Sequence, residues 1–145
     1  MAAIIDMKDL VLGRASTQIA KRLLQGERIE LVNSEKAVIK GSKEHILARY
    51  KKRVDMAVVG NPHYGPKFSR MPDKIVKRAI KGMLPNVTRG RKPALERLQA
   101  HIGVPKKLAK EKHETIERAK NREKKNFLYL KDLTEALGLK VHYNE

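Results

Sequence analysis

Between residues 66 and 92 this sequence places nine lysines and arginines against a single acid, Asp73. Unpaired cations cannot be buried without a large desolvation penalty, so any fold must keep the charged side of that segment at the surface and leave it one inward face. The residues divide in that way. Pro72 and Asp73 open a helical pattern in which Ile75, Val76, Ala79, Ile80 and Met83 form one stripe, while Lys74, Lys77, Arg78 and Lys81 form another; Gly82 and Pro85 end it. Such a helix packs one face on a core and presents four cations, three and four residues apart, at a spacing suited to a phosphate backbone.

The local surplus of +8 is nearly half of the whole, because the chain carries 33 Lys and Arg against 16 Asp and Glu, a formal charge of +17. The ends are close to neutral: residues 1–30 hold five bases and four acids, residues 127–145 two bases and three acids. Self-repulsion on this scale favours a polyanionic partner. A charge run is usually a solvated face, but cations serving only solubility are normally interspersed with carboxylates, and here they are not. No apolar run approaches the ~20 residues that span a bilayer and no signal-peptide core is present, so we expect a cytoplasmic protein with a nucleic-acid partner, no membrane and no small-molecule substrate. With no tryptophan, four tyrosines and two phenylalanines, contacts to phosphates and shape fit better than base reading on aromatic platforms.

The rest of the chain reads as alternating short strands and helices. Ile4 and Ile5 make a strand ending at Asp6, and Ile19, Ala20, Leu23 and Leu24 lie at helical spacing before a stop at Gly26. Ile29, Leu31 and Val32, then Ala37, Val38 and Ile39, are two strands around the turn 33–36. Gly41-Ser42 offers an N-cap to a helix with Ile46, Leu47, Tyr50 and Val54 on its apolar stripe. Residues 60–72 form a loop with a basic surface, and Asn86 to Lys92 a second one, before a short helix that starts at Pro93 and carries Leu95 and Leu98. The charged stretch 106–125 is expected to be a helix lying on the surface or on a partner, and a strand-like run from Phe127 leads to a small helix closed by Gly138. No repeat or low-complexity linker divides the chain, so one domain over 1–145 is expected, with 106–145 packing on the domain or on RNA.

Catalytic chemistry finds little support. There is no cysteine, and the five histidines, at 45, 63, 101, 113 and 142, show no pair at i and i+4 with a nearby glutamate. We therefore expect no metal, no cofactor and no enzyme activity. Asp6, at a strand end, is the one acid–base candidate, and a carboxylate there more often caps the next turn. Gly13 sits where a dinucleotide loop would, without the other glycines of that fingerprint. Lys40-Gly41-Ser42-Lys43 resembles part of a phosphate loop but lacks its spaced glycines, and helix capping explains it more simply. Helix N-termini after Gly13 and Gly41 could still hold RNA phosphates, which brings Lys40 and Lys43 into the candidate surface. A doubly wound enzyme using Asp6, and a chromatin-like binder of duplex DNA, are the two rival readings.

The phrase VKRAIKGMLPNVTRGRKPALERL, Val76 to Leu98, resembles the signature of the large-subunit ribosomal protein family numbered thirteen, its most specific part being glycine, methionine, leucine and proline at 82–85. LGRASTQIAKRLLQG from Leu12 and LVNSEKAVIKG from Leu31 follow the family's order and spacing. GNPHYGPKFSRMPDKI, Gly60 to Ile75, and the run from Phe127 to Lys140 are similar to its archaeal and eukaryotic branch, and the lack of a long C-terminal extension suits the archaeal members.

The resemblance implies a three-layer α/β/α sandwich around a mainly parallel four-stranded sheet, here with a basic helical C-terminal extension. It also implies docking on large-subunit ribosomal RNA beside neighbouring ribosomal proteins, a part in early subunit assembly, and no catalytic residues. Family motif positions for RNA contact fall on Arg14, Lys81, Arg89, Gly90 and Arg91. The residues themselves add Lys67, Arg70, Lys74, Lys77, Arg78 and Lys92, with His63 and Tyr64 as stacking or hydrogen-bonding groups. Gly82, Met83, Leu84 and Pro85 are assigned to architecture.

Overall fold

The structure, a computed structural model, describes residues 2–86, 88–123 and 125–139. Its first strand, β1 (Ala3–Asp6), runs parallel to β2 (Ile29–Val32), and a parallel neighbour needs a crossover; α1 (Leu12–Leu24) supplies it. Leu12, Ala15, Ile19, Ala20 and Leu23 bury one face of α1. The helix stops at Gly26, whose φ of +94° is open to glycine: its N–H donates to the Leu23 carbonyl and that of Glu27 to the Arg22 carbonyl.

After β2 come β3 (Val38–Lys40), α2 (Lys43–Val54), α3 (Pro72–Met83) and α4 (Thr88–Glu96). Then β4 (Leu98–Ala100) pairs in parallel with the far side of β2, giving the strand order β1-β2-β4. Register places Ile5 beside Leu31 and Leu31 beside Ala100, and on the same face Ala3, Ile29 and Leu98 follow in line. The buried residues of that face share one core with buried residues from all five helices. The opposite face carries Glu30 and Gln99, and there Ile4 and Val32 form a small separate cluster with Leu108.

The sheet differs from the four-stranded one implied by the resemblance. Three strands are parallel; β3 instead pairs antiparallel with β5 (Phe127–Tyr129), Val38 opposite Tyr129 and Lys40 opposite Phe127. β5 runs directly into α5 (Leu130–Ala136), so Leu128, Leu130, Leu133 and Leu137 join the main core.

Two local expectations are corrected. The second basic loop is shorter than expected: α4 begins at Thr88 and holds Pro93 in its interior, and Leu98, read as helical, lies in β4. A three-residue strand is too short to show its period. The stretch expected as a charged helix, 106–125, has no α-helix among its described residues; it has turns, one 3-10 turn at Glu117–Ala119, and isolated bridges from Glu114 to Ile5 and from Lys120 to Leu10. Part of its backbone is committed to β1 and the turn after it. The Asp6 N–H donates to the Glu114 carbonyl at 2.9 Å, the Glu114 N–H to the Ile4 carbonyl at 2.8 Å and the Val11 N–H to the Ala119 carbonyl at 2.8 Å. This run therefore covers the free edge of β1, which would otherwise expose unpaired amides and carbonyls.

Candidate nucleic-acid interface

The cationic surface is built on α3. Pro72 and Asp73 occupy its first turn, where proline needs no hydrogen bond and a carboxylate complements the helix dipole. Ile75, Val76 and Ile80 are buried, which turns Lys74, Arg78 and Lys81 outward and leaves Lys77 half-buried between them. The preceding loop is fastened alongside. The Arg78 guanidinium lies 4.0 Å from the centre of the Phe68 ring, and its Nη1 donates to the Lys67 carbonyl at 3.1 Å. On the other side the turn into α4 is held by Arg91, which donates to Asn86 Oδ1 at 2.6 Å and to the Leu84 carbonyl at 3.3 Å.

Loop, helix and helix enclose an open groove of about 650 Å³. Lys67, Lys74, Lys77, Arg78, Lys81 and Arg91 line it over a floor of Leu95 and Leu98, and among the described residues no carboxylate lines it. Six of the sequence-derived RNA residues are thus gathered into one surface. Uncompensated positive charge over a concave apolar floor attracts an anionic chain strongly, since field lines concentrate in a cleft with low-dielectric walls.

Other candidates fall outside it. Arg14 is exposed on α1, three residues before Thr17, whose hydroxyl lies 3.4 Å from Met83 Sδ, so it flanks the C-terminal end of α3. Lys40 is paired with Glu123 at 2.5 Å, and Lys43 is exposed at the start of α2. Ser42 precedes α2 as expected, but its side chain makes no cap hydrogen bond. Arg70 and Lys92 are exposed at the margins, and Tyr64 is 83% exposed beside His63 in a single 3-10 turn. The Arg89 side chain lies outside the described residues. Of Gly82, Met83, Leu84 and Pro85, assigned to architecture, Leu84 alone is buried; Met83 is 42% exposed and a Cβ on Gly82 would meet nothing within 4 Å.

A second depression adjoins the groove, and sequence reasoning missed it. Tyr50, Arg53 and Val54 of α2 face Phe68 and Ser69 of the loop and Lys74, Ile75, Arg78, Ala79 and Gly82 of α3 across about 280 Å³. Arg53 lies 5.6 Å from the Tyr50 ring centre and 5.9 Å from that of Phe68. Burial raises the Tyr50 phenol above its ordinary range, against the opposing pull of Arg53 and Arg49, so it stays a neutral hydrogen-bond donor at physiological pH. The one signal in the sequence was Phe68, an aromatic residue inside a basic, proline-rich loop.

The rival catalytic candidate is a turn residue. Asp6 Oδ1 accepts from the Lys8 N–H at 3.0 Å and from Asn33 Nδ2 at 2.9 Å. Among the described residues no three His, Asp or Glu side chains gather as a metal site, and no helix is long and apolar enough to cross a membrane.

Comparison with known proteins brings a consistent match. The family model described as Ribosomal protein L13 matches residues 1–107. The large ribosomal subunit protein uL13 of Methanosphaera stadtmanae is 39% identical over 141 residues, covering 97% of this chain and 99% of that one. Those of Archaeoglobus fulgidus and Natronomonas pharaonis are 48% and 41% identical, covering 80% and 95% of this chain and 72% and 92% of their own lengths.

Proposed function

This chain belongs to the ribosomal protein L13 family, in its archaeal form, and on that footing we propose that it is a structural, non-catalytic constituent of the large ribosomal subunit in the cytoplasm. As one domain it binds large-subunit ribosomal RNA beside neighbouring ribosomal proteins and supports early subunit assembly. The observation that carries this reading is the groove with six cations and no acid along its lining.

The mechanism is adhesive. Lys and Arg side chains neutralise phosphates from separate RNA segments, release their counterions and lower the repulsion that opposes close packing of those segments. Log affinity then falls by about 0.7 to 0.9 per phosphate neutralised for each tenfold rise in salt. The side chains proposed to make these contacts are the groove cations, with Arg14, Arg70 and Lys92 at its margins, and Arg89. Lys43, His63 and Tyr64 are proposed as peripheral contacts, and Lys40 as one that would first have to leave Glu123.

The test is sedimentation of native extract through a salt-containing gradient, with the chain followed by mass spectrometry. Stoichiometric retention in the large-subunit peak is the expected result. A chain found only free or with DNA would overturn the reading, and competition between ribosomal RNA and duplex DNA at matched salt would then identify the preferred polyanion.

A further inference from the structure

Beyond phosphate binding, we infer that the depression between α2 and α3 is a receptor for one unstacked nucleobase of the bound RNA. This inference rests on the RNA-binding reading above. The depression has the walls such a ligand requires. Tyr50, Val54, Phe68, Ile75 and Ala79 give it apolar sides, and Arg53, Lys74 and Arg78 place cations at its rim. At about 280 Å³ it is smaller than the roughly 300–1,000 Å³ of sites for drug-sized molecules, and suits a single flat ring system.

The stacking surface is already assembled. Arg78 is fixed on one side by the Phe68 ring at 4.0 Å and on another by the Lys67 carbonyl at 3.1 Å. A guanidinium is itself a planar cation, and bases splayed from single-stranded RNA stack on arginine planes as well as on aromatic rings. Tyr50 makes no hydrogen bond among the described residues and remains a donor for a base edge.

Access favours RNA over an unconnected small molecule. Ser69, Lys74, Arg78 and Gly82 line both this depression and the cationic groove, so a strand whose phosphates lie in the groove passes the mouth of the pocket. Gly82 stands at that shared wall with open space where a side chain would begin.

The full-length chain is titrated with a short oligouridine, whose bases are already unstacked, and with a blunt RNA duplex of equal length, across a series of salt concentrations. Phe68→Leu is expected to weaken oligouridine binding by roughly 5- to 150-fold, the range for losing one stacked base, and duplex binding by clearly less. Ala79→Leu, which fills the pocket while keeping Phe68 and Arg78, is expected to reproduce that loss, and thermal melting of both variants establishes that they fold. Equal affinities for oligouridine in the parent and in both folded variants overturn the inference, and so does a Phe68→Leu loss that appears equally with duplex and lowers the slope, because Phe68 would then only position Arg78. Lys77→Gln separates the two levels: if it lowers the slope while the pocket variants do nothing, the groove stands and the pocket falls. If the parent itself shows no salt-dependent binding, both are overturned.

Discussion

Two stretches of this chain hold nine lysines and arginines each, yet they do different work. Residues 66–92 carry one acid beside them and residues 106–125 carry four. In the first, the cations rise from the outer face of a helix and line a groove without a carboxylate. In the second, acids are tied to bases elsewhere in the fold: Glu114 accepts from Arg22 at 2.9 Å and Glu123 is paired with Lys40. Part of the backbone of that stretch hydrogen-bonds along β1, through Glu114 to Ile4 and Asp6. The same number of positive charges makes an uncompensated cationic groove in one place and a stitched edge in the other, and the acids and the backbone pairing decide which.

The contrast can be broken most forcibly through the core that orients α3. Ile80→Ala, on the buried side, is expected to lower unfolding free energy by about 2–5 kcal/mol in denaturant titration, whereas Lys81→Gln on the opposite side should leave it within about 0.5 kcal/mol. A comparable cost for both would mean the two faces are not distinct.

Next in size is the effect on RNA. Replacing Lys74, Lys77 and Lys81 together by Gln should reduce affinity for large-subunit RNA by about a hundredfold at about 0.1 M salt and flatten the salt slope by about 2 to 3. The matching triple at Lys107, Lys110 and Lys112 should have a smaller effect on both. Equal losses from the two triples would show that total charge, and not its arrangement, governs binding.

A smaller effect is expected at the stitched edge. Glu114→Gln leaves Arg22 with Glu27 alone, and because these groups are partly exposed the loss of stability should not exceed about 1 kcal/mol, with RNA affinity unchanged. A fall in RNA affinity would place this stretch in the interface after all.

The smallest is a pH effect. The hydrogen bond from Arg22 holds the Glu27 carboxyl below its ordinary value of 4.5. A depressed carboxylate adds stability above its unfolded value and loses it as pH falls through the lower folded one. The stability difference between parent and Glu27→Gln should therefore be constant near neutrality and shrink below about pH 4.5, at no more than about 1 kcal/mol throughout. A difference that grows on acidification would reverse the assigned sign.

How much of this was legible in the sequence follows from the range over which each feature is determined. The stripes of α1 and α3 are local periodicities, and Ile19, Leu23, Ile75 and Ile80 are buried as their spacing required. β4 was lost because Leu98 and Ala100 offer one alternation, indistinguishable from the end of a helix. The stretch 106–125 was misjudged for the opposite reason: its composition suits a solvated helix, but an exposed edge of β1 competes for its amides, and that edge is defined by residues a hundred positions earlier. Lys40 looked free because Glu123 is distant in sequence. The aromatic shortage argued against base stacking, and composition could not show that Tyr50 and Phe68 come together beside two arginines.

The pairing of β3 with β5 also sets an order of events. Val38 and Tyr129 lie roughly ninety residues apart, and Leu128, Leu130 and Leu133 complete the same core as Ile5 and Ile19. During synthesis the first strands and α1 emerge early, but the hydrophobic interior stays open on one side until the final stretch has left the exit tunnel. The nascent protein is then a highly cationic, unfinished body for most of its elongation, exposed to aggregation and to any nearby polyanion. A released chain truncated before Phe127 should remain sensitive to protease, and one that includes Gly138 should be resistant.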